Sequence, residues 1–270
     1  MDFSQEKFDI IVQAGQSNAA GFGQGPVKNE YIPSPDVLYL NVDVNTSEGI
    51  KDGVWSLILE YGDKPFSIEV AREKDLGDNV MNGDFSLTFC EEYKKAGLLK
   101  KDRKLLVIRA GIGGTGFMKK HWTKDGIVYL KMLEMIDYAL SLNSENRIVG
   151  LLWHQGEHDA FEHNDPDIFE SQLTYLFASL KERYSLPDLP IVTADFVNEW
   201  KNENIEDCVP IVDKIKKVTQ AFAGEFVETS DLPSNNQKHG NGDTIHFCRQ
   251  SLHDLGRRYF QAYKKILNRK

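Results

Sequence analysis

The chain has 270 residues, 41% of them hydrophobic, and a formal charge of −9 from 32 basic and 41 acidic side chains. That length supports one large α/β domain or two small ones. An acidic balance without a basic block argues against nucleic acid and anionic membranes as partners. No stretch approaches the roughly 18 consecutive apolar residues of a spanning helix. The first residues lack a basic segment followed by an apolar one, so a cytoplasmic protein is expected. Cys90, Cys208 and Cys248 are widely spaced and odd in number, matching neither a zinc pattern nor a disulfide framework.

In chain order, the first element is an apolar, β-branched run at residues 10–12 that stops at Gly15. It predicts a buried strand of a parallel sheet. Ser17 follows at once, among Gln16, Asn18, Ala19, Ala20 and Gly21. A serine just past the carboxyl end of a strand stands where open α/β sheets hold their ligands. Small neighbours let backbone N–H groups approach a substrate carbonyl. Ser17 is therefore a candidate nucleophile, set against the plainer reading of a capping serine at a turn.

Glycines and prolines between Gly21 and Pro35 predict surface loop, and residues 37–40 a short strand. Residues 41–84 carry little regular pattern; 55–60 and 66–70 read as short strands or extended pieces, a texture typical of binding loops. Leu87, Cys90, Tyr93 and Ala96 fit one helical face that stops at Gly97. A buried strand at 104–109 runs into a glycine-rich segment at 110–116. A helix is expected at 127–142, then a strand at 147–153 ending in His154, Gln155, Gly156 and Glu157. The remaining pattern predicts a helix at 167–184, a strand at 189–196, a helix at 211–223 and a short edge strand at 226–227. A polar loop at 231–242 then leads to Asp243 and His246, and a last helix covers 249–267. Strands alternating with helices of this length mean βαβ units and a parallel sheet. Without a repeat or linker, one domain over residues 1–270 is expected.

Three of these strands end in polar, glycine-containing stretches that share one edge of such a sheet. A serine hydrolase needs a nucleophile, a base, an acid to orient the base, and donors for the oxyanion. Ser17 supplies the first. The backbone N–H of Gly114 and the side-chain amide of Gln155 are candidate oxyanion donors. His246 is the candidate base, and Asp243, three residues earlier, would fix its tautomer. Gln16, Asn18 and Glu157 are expected to support the site.

These blocks carry a resemblance. Gly15 to Asn18, Gly113 to Thr115, Trp153 to Glu157, and Asp243 with His246 come in the order of the SGNH-type hydrolases. More narrowly, the chain resembles carbohydrate esterase family six, the acetylxylan esterases, and the related sialic-acid acetylesterases, over residues 10–260. The resemblance implies a three-layer α/β/α sandwich, flavodoxin-like, with a roughly five-stranded parallel sheet, and metal-free deacetylation of sugars without a cofactor. It assigns Ser17, Asp243 and His246 to the triad. It assigns the N–H groups of Ser17 and Gly114, with Gln155, to the oxyanion hole. Acetylated xylo-oligosaccharides are the first substrate expected. Relatives often carry a Gly-Pro-Gly-like segment before the helix near residue 85, where this chain has Asn82, Gly83 and Asp84; that difference bears on the shape of the cleft.

Other readings compete. Gly111, Gly113 and Gly116 match a dinucleotide fingerprint, which requires a helix to start there; the polar stretch 117–126 follows instead. His154, Glu157 and His158 match a zinc-hydrolase pattern that works on one helical face. A non-catalytic carbohydrate-binding relative is a further alternative. Arg109 is expected in a strand-end salt bridge, His253 in a loop or at the surface, and Trp122 either stacked on a sugar or packed in a lid.

Overall fold

A computed structural model describes residues 3–51, 54–63, 66–75, 77 and 81–269; 52, 53, 64, 65, 76 and 78–80, part of the segment hardest to read from sequence, lie outside them. The strands are β1 Phe8–Gly15, β2 Val37–Asn41, β3 Val44–Lys51, β4 Val54–Tyr61, β5 Ser67–Val70, β6 Lys74–Asp75, β7 Met81–Asn82, β8 Lys104–Gly111, β9 Arg147–His154, β10 Ile191–Ala194 and β11 Glu225–Val227. The helices are α1 Ser17–Ala20, α2 Phe85–Lys95, α3 Ile127–Ser141, α4 Glu157–Phe161, α5 Pro166–Arg183, α6 Asn198–Glu203, α7 Ile205–Ala221 and α8 Arg249–Leu267.

The central sheet runs β11-β10-β9-β1-β8-β2-β5. Six strands are parallel, and β5 closes one edge antiparallel to β2. The roughly five parallel strands implied by the resemblance are thus exceeded, because residues 37–41 also join the sheet beside β8 and the short β11 adds an edge. Every residue of β1 is buried, as expected of a strand covered on both faces. Phe8, Ile10, Val12 and Ala14 face the layer of α3, α5 and α7; Ile11 faces the layer of α2 and α8. On that second face Asp9 is held by Arg103 and Arg147, so burial of its charge is compensated.

Register is what positions the site. Gly15 pairs with Gly111 of β8 and with His154 of β9. Three strand ends therefore lie level, and the loops that follow start from one line at the carboxyl edge. Gly15 has φ +137, and a Cβ there would fall 1.9 Å from the His154 carbonyl oxygen. Gly15→Ala is expected to destabilise the fold by about 3 kcal/mol or more, since backbone strain and collision add. Gly97→Ala, at φ +71 with open space around it, is expected to lose only about 1 kcal/mol. Thermal melts of both variants measure the difference, and equal losses would remove the collision from this account.

Local chemistry explains where elements start. Asp165 accepts from the N–H groups of Asp167 and Ile168 with Pro166 at the first helical position, so α5 begins one residue earlier than expected. α7 begins at Ile205 rather than 211 and contains Pro210. A proline reads as a breaker, but near a helix start it removes only a bond to the carbonyl four residues before. The β3–β4 hairpin, paired from Val44 with Tyr61 to Lys51 with Val54, stands apart from the main sheet. Among the described residues no helix is long and apolar enough to cross a membrane.

Candidate active site

Ser17 opens α1, the single turn directly after β1, and is 5% exposed. The turn is tied down from below. Gln13 donates to the Ala19 carbonyl at 2.7 Å, and Arg109 donates to the Ala20 carbonyl. Both side chains also meet Asp84: Gln13 Nε2 at 2.8 Å from Oδ1, and Arg109 Nη1 at 3.1 Å from Oδ2. Asp84 additionally caps α2 by accepting from the Ser86 N–H, and it takes the Tyr39 hydroxyl at 2.8 Å. The strand-end salt bridge expected of Arg109 is present. Its role in bracing the serine turn, through Asp84, was not foreseen. The Asn82–Gly83–Asp84 stretch thus supplies the acid beneath α1.

The glycine-rich loop after β8 passes against the serine. A Cβ on Gly113 would lie 3.5 Å from Ser17 Cβ, and Gly114 has φ +71. Thr115 is fully buried; its hydroxyl donates to the Ile112 carbonyl at 2.7 Å and accepts from Trp122 Nε1 at 3.0 Å. Trp122 itself is 0% exposed and meets Trp153 edge-on at 5.0 Å. It is a core residue that fixes this loop, and a sugar cannot stack on it.

Asp243 and His246 are in hydrogen-bond contact. His246 Nδ1 lies 3.1 Å from Asp243 Oδ1, and the His246 backbone N–H donates to the same oxygen at 2.8 Å. Asn235 Nδ2 reaches Asp243 Oδ2 at 3.3 Å. Partial burial works to raise the Asp243 carboxyl, but the His246 hydrogen bonds and charge outweigh it and bring the value down to about 2. Phe22 stacks on the His246 ring, 5.3 Å between centroids.

Asn18 joins the two halves of the site. Its Nδ2 donates to the Ile245 carbonyl at 3.1 Å, and its Oδ1 accepts from the Phe247 N–H at 3.1 Å. One amide therefore grips the chain on both sides of His246, beside the residue that precedes it, Ser17. The second Nδ2 hydrogen goes to Glu157 Oε1 at 2.8 Å. Glu157 is wholly buried. Burial raises its carboxyl, yet His154 and Asn18 more than offset that and hold it below the usual carboxylate range. Glu157 thus braces the Asn18 amide through its side chain.

Gln155, at the end of β9, is buried. One amide hydrogen goes to Asp159 Oδ2; the other has only the Thr115 carbonyl, at 3.5 Å. Asp159 also accepts from the N–H groups of Phe117 and Met118 and from Asn164. It anchors the end of the glycine-rich loop, a role with no signal in the sequence beyond an acid that shares the first turn of a helix with Glu157. Gln16 Oε1 accepts from the His158 N–H at 3.0 Å and ties α4 to the serine turn.

The competing motifs do not assemble. No helix starts in the glycine-rich segment; α3 begins at Ile127, so a pyrophosphate has no helix N-terminus to meet there. His154 sits on a strand against Phe85, Tyr259 and Phe247, whereas His158 faces Phe161 from a separate helix. Among the described residues no three His, Cys, Asp or Glu side chains are grouped to hold a metal ion. His253 is buried against Glu73 at 2.7 Å, which corrects its expected loop or surface position.

A three-layer α/β/α sheet with a serine turn, a glycine loop and an Asp-His pair at one carboxyl edge defines an SGNH-type ester hydrolase. The chain belongs to the carbohydrate esterase family of sialic acid-specific acetylesterases, whose model matches residues 7–265. It is a carboxylic ester hydrolase that removes O-acetyl groups from carbohydrate. Among solved structures it is similar to NanS, with TM-score 0.73 and 16% identity over 98% of this chain and 99% of that one. A protein from Arabidopsis thaliana matches with TM-score 0.66 and 20% identity, covering 95% and 98% of the two chains. A carbohydrate acetylesterase from Xanthomonas citri matches with TM-score 0.59 and 12% identity, over 97% of this chain and 57% of that one. At these identities the structural likeness speaks for the fold. No curated protein matches the chain.

Proposed function

We propose that residues 1–270 act as one serine esterase unit that deacetylates sugars through an acetyl-enzyme. The observation that supports this reading is the grip of Asn18, the neighbour of Ser17, on Ile245 and Phe247, the residues on either side of His246. Ser17 Oγ attacks the acetyl carbonyl while His246 takes its proton. The oxyanion is received by the N–H groups of Ser17 and Gly114 and by the loosely held second hydrogen of the Gln155 amide. His246 then protonates the departing sugar hydroxyl. Water, activated by the same imidazole, releases acetate and restores Ser17.

The family description supports an O-acetylated sialic acid as the sugar, and the sequence resemblance supports acetylated xylo-oligosaccharides. Acetate release from both, in parallel, decides between them. Failure to release acetate from either sugar, with an aryl acetate still hydrolysed, would overturn the carbohydrate reading.

Gln155→Ala tests the least secure donor. If its second hydrogen serves the oxyanion, kcat falls about 10²–10³-fold with a smaller change in KM. If the amide only braces Asp159, melting temperature drops and KM rises while kcat falls less than about tenfold. Measuring all three quantities on one variant separates the roles.

A further inference from the structure

Next to Gly114 the surface sinks into a pocket of about 280 Å³, between Leu57 and Glu48 of the β3–β4 hairpin and Lys119, His158, Phe161 and Glu162 on the other side. Its volume falls at the foot of the range for small-molecule sites, room for one ring and not for a chain. It touches the glycine-rich loop and the helix tied to the serine turn. Leu57 Cδ2 would lie 3.7 Å from a Cβ on Gly114, and His158 is bound through its backbone to Gln16, the neighbour of Ser17.

The lining is a mixture suited to a polyhydroxylated ring. Phe161 is 66% exposed, with its ring 6.3 Å from the His158 imidazole. An exposed aromatic face in the lining offers an apolar platform. Its neighbour Glu162 pairs with Lys119 Nζ at 3.1 Å, and its carboxylate lies 3.7 Å from His158 Nε2. Burial holds the His158 imidazole below its ordinary value, so near neutral pH it offers one donor and one acceptor. Carboxylate, ammonium and neutral imidazole together can pair with hydroxyls of either sense.

We propose that this pocket is a monosaccharide subsite: it seats the pyranose whose acetyl ester lies on Ser17, stacked on Phe161 and hydrogen-bonded by Glu162, Lys119 and His158. The proposal rests on the serine-esterase reading above. It places the substrate's recognition in α4 and the hairpin, outside the catalytic groups.

The test compares two esters on the same enzymes: 4-nitrophenyl acetate, which has no sugar, and an O-acetylated sugar (acetylated sialic acid and acetylated xylobiose, assayed separately). Phe161→Ala is expected to reduce kcat/KM for the sugar ester by about tenfold, mainly through KM. The aryl acetate should stay within about twofold, because no catalytic group is touched. Glu162→Gln should shift the same ratio in the same direction. Equal changes on both esters, or no change on either, would overturn the subsite. The underlying reading fails separately: it fails if Ser17→Ala still hydrolyses the aryl acetate.

Discussion

Ser17→Ala is expected to lower kcat by about 10⁴–10⁶-fold on any acetyl ester, with KM and melting temperature nearly unchanged. The size follows from what is removed. Without Oγ there is no covalent acetyl-enzyme, and the Asp243–His246 pair can only assist water held by the remaining oxyanion donors. In free energy the loss is about 5–8 kcal/mol of transition-state stabilisation. Stability should hardly move, because the turn around Ser17 is fastened by other groups: Gln13 and Arg109 from below, Asn18 from the side. The measurement is steady-state hydrolysis of 4-nitrophenyl acetate beside a thermal melt. A variant with kcat within tenfold of the parent would end the serine mechanism; a variant that had unfolded would show it in the melt.

Asp243→Asn is expected to have the second-largest effect, up to about 10⁴-fold in kcat. Asp243 Oδ1 faces both His246 Nδ1 and the His246 backbone N–H. A carboxylate in that place accepts a hydrogen bond from Nδ1–H, leaves Nε2 free to act as base, and stabilises the imidazolium that forms. An amide can turn its NH₂ toward Nδ1, which selects the wrong tautomer and provides no charge. Fold should survive, since Asn keeps the shape and its oxygen can still accept from Asn235.

The same pair predicts a pH dependence of stability with a definite sign. The folded value of Asp243 is depressed to about 2. A depressed carboxylate stabilises the fold fully above its unfolded value, about 3.9, and loses that contribution as pH falls toward its folded value. The stability gap between the parent and Asp243→Asn should therefore be constant near neutrality and narrow below about pH 4. Denaturant melts at pH 6, 4 and 3 measure it, and a gap that widened toward acid would contradict the pairing. Partial exposure of the pair means that solvent screens it and keeps the effect modest.

Local pattern carried much of this site. Apolar runs at 105–108 and 148–153 read as buried strands, and glycine with polar residues at their ends marks the ligand edge. Asp243 and His246 could be paired on spacing, because three residues across a turn bring a carboxylate to the following imidazole. The hairpin was harder. β3 is mostly polar, with no alternation to read, and β4 becomes a strand by pairing with it.

What chain order and residue type decided was therefore the α/β class and the four blocks with their candidate nucleophile, base and acid, because each depends on neighbours close in sequence. What needed the folded chain was every link made between distant residues. The level register of Gly15, Gly111 and His154 brings three loops to one line. The Asn18 amide spans to Ile245 and Phe247, and Asp84 gathers Gln13, Tyr39 and Arg109 under the serine turn. Trp122 goes to the core, and the Gln155 amide turns to Asp159. A buried donor or acceptor must find a partner wherever the fold offers one, and that partner is set by the packing of layers, which leaves no periodic trace in the sequence.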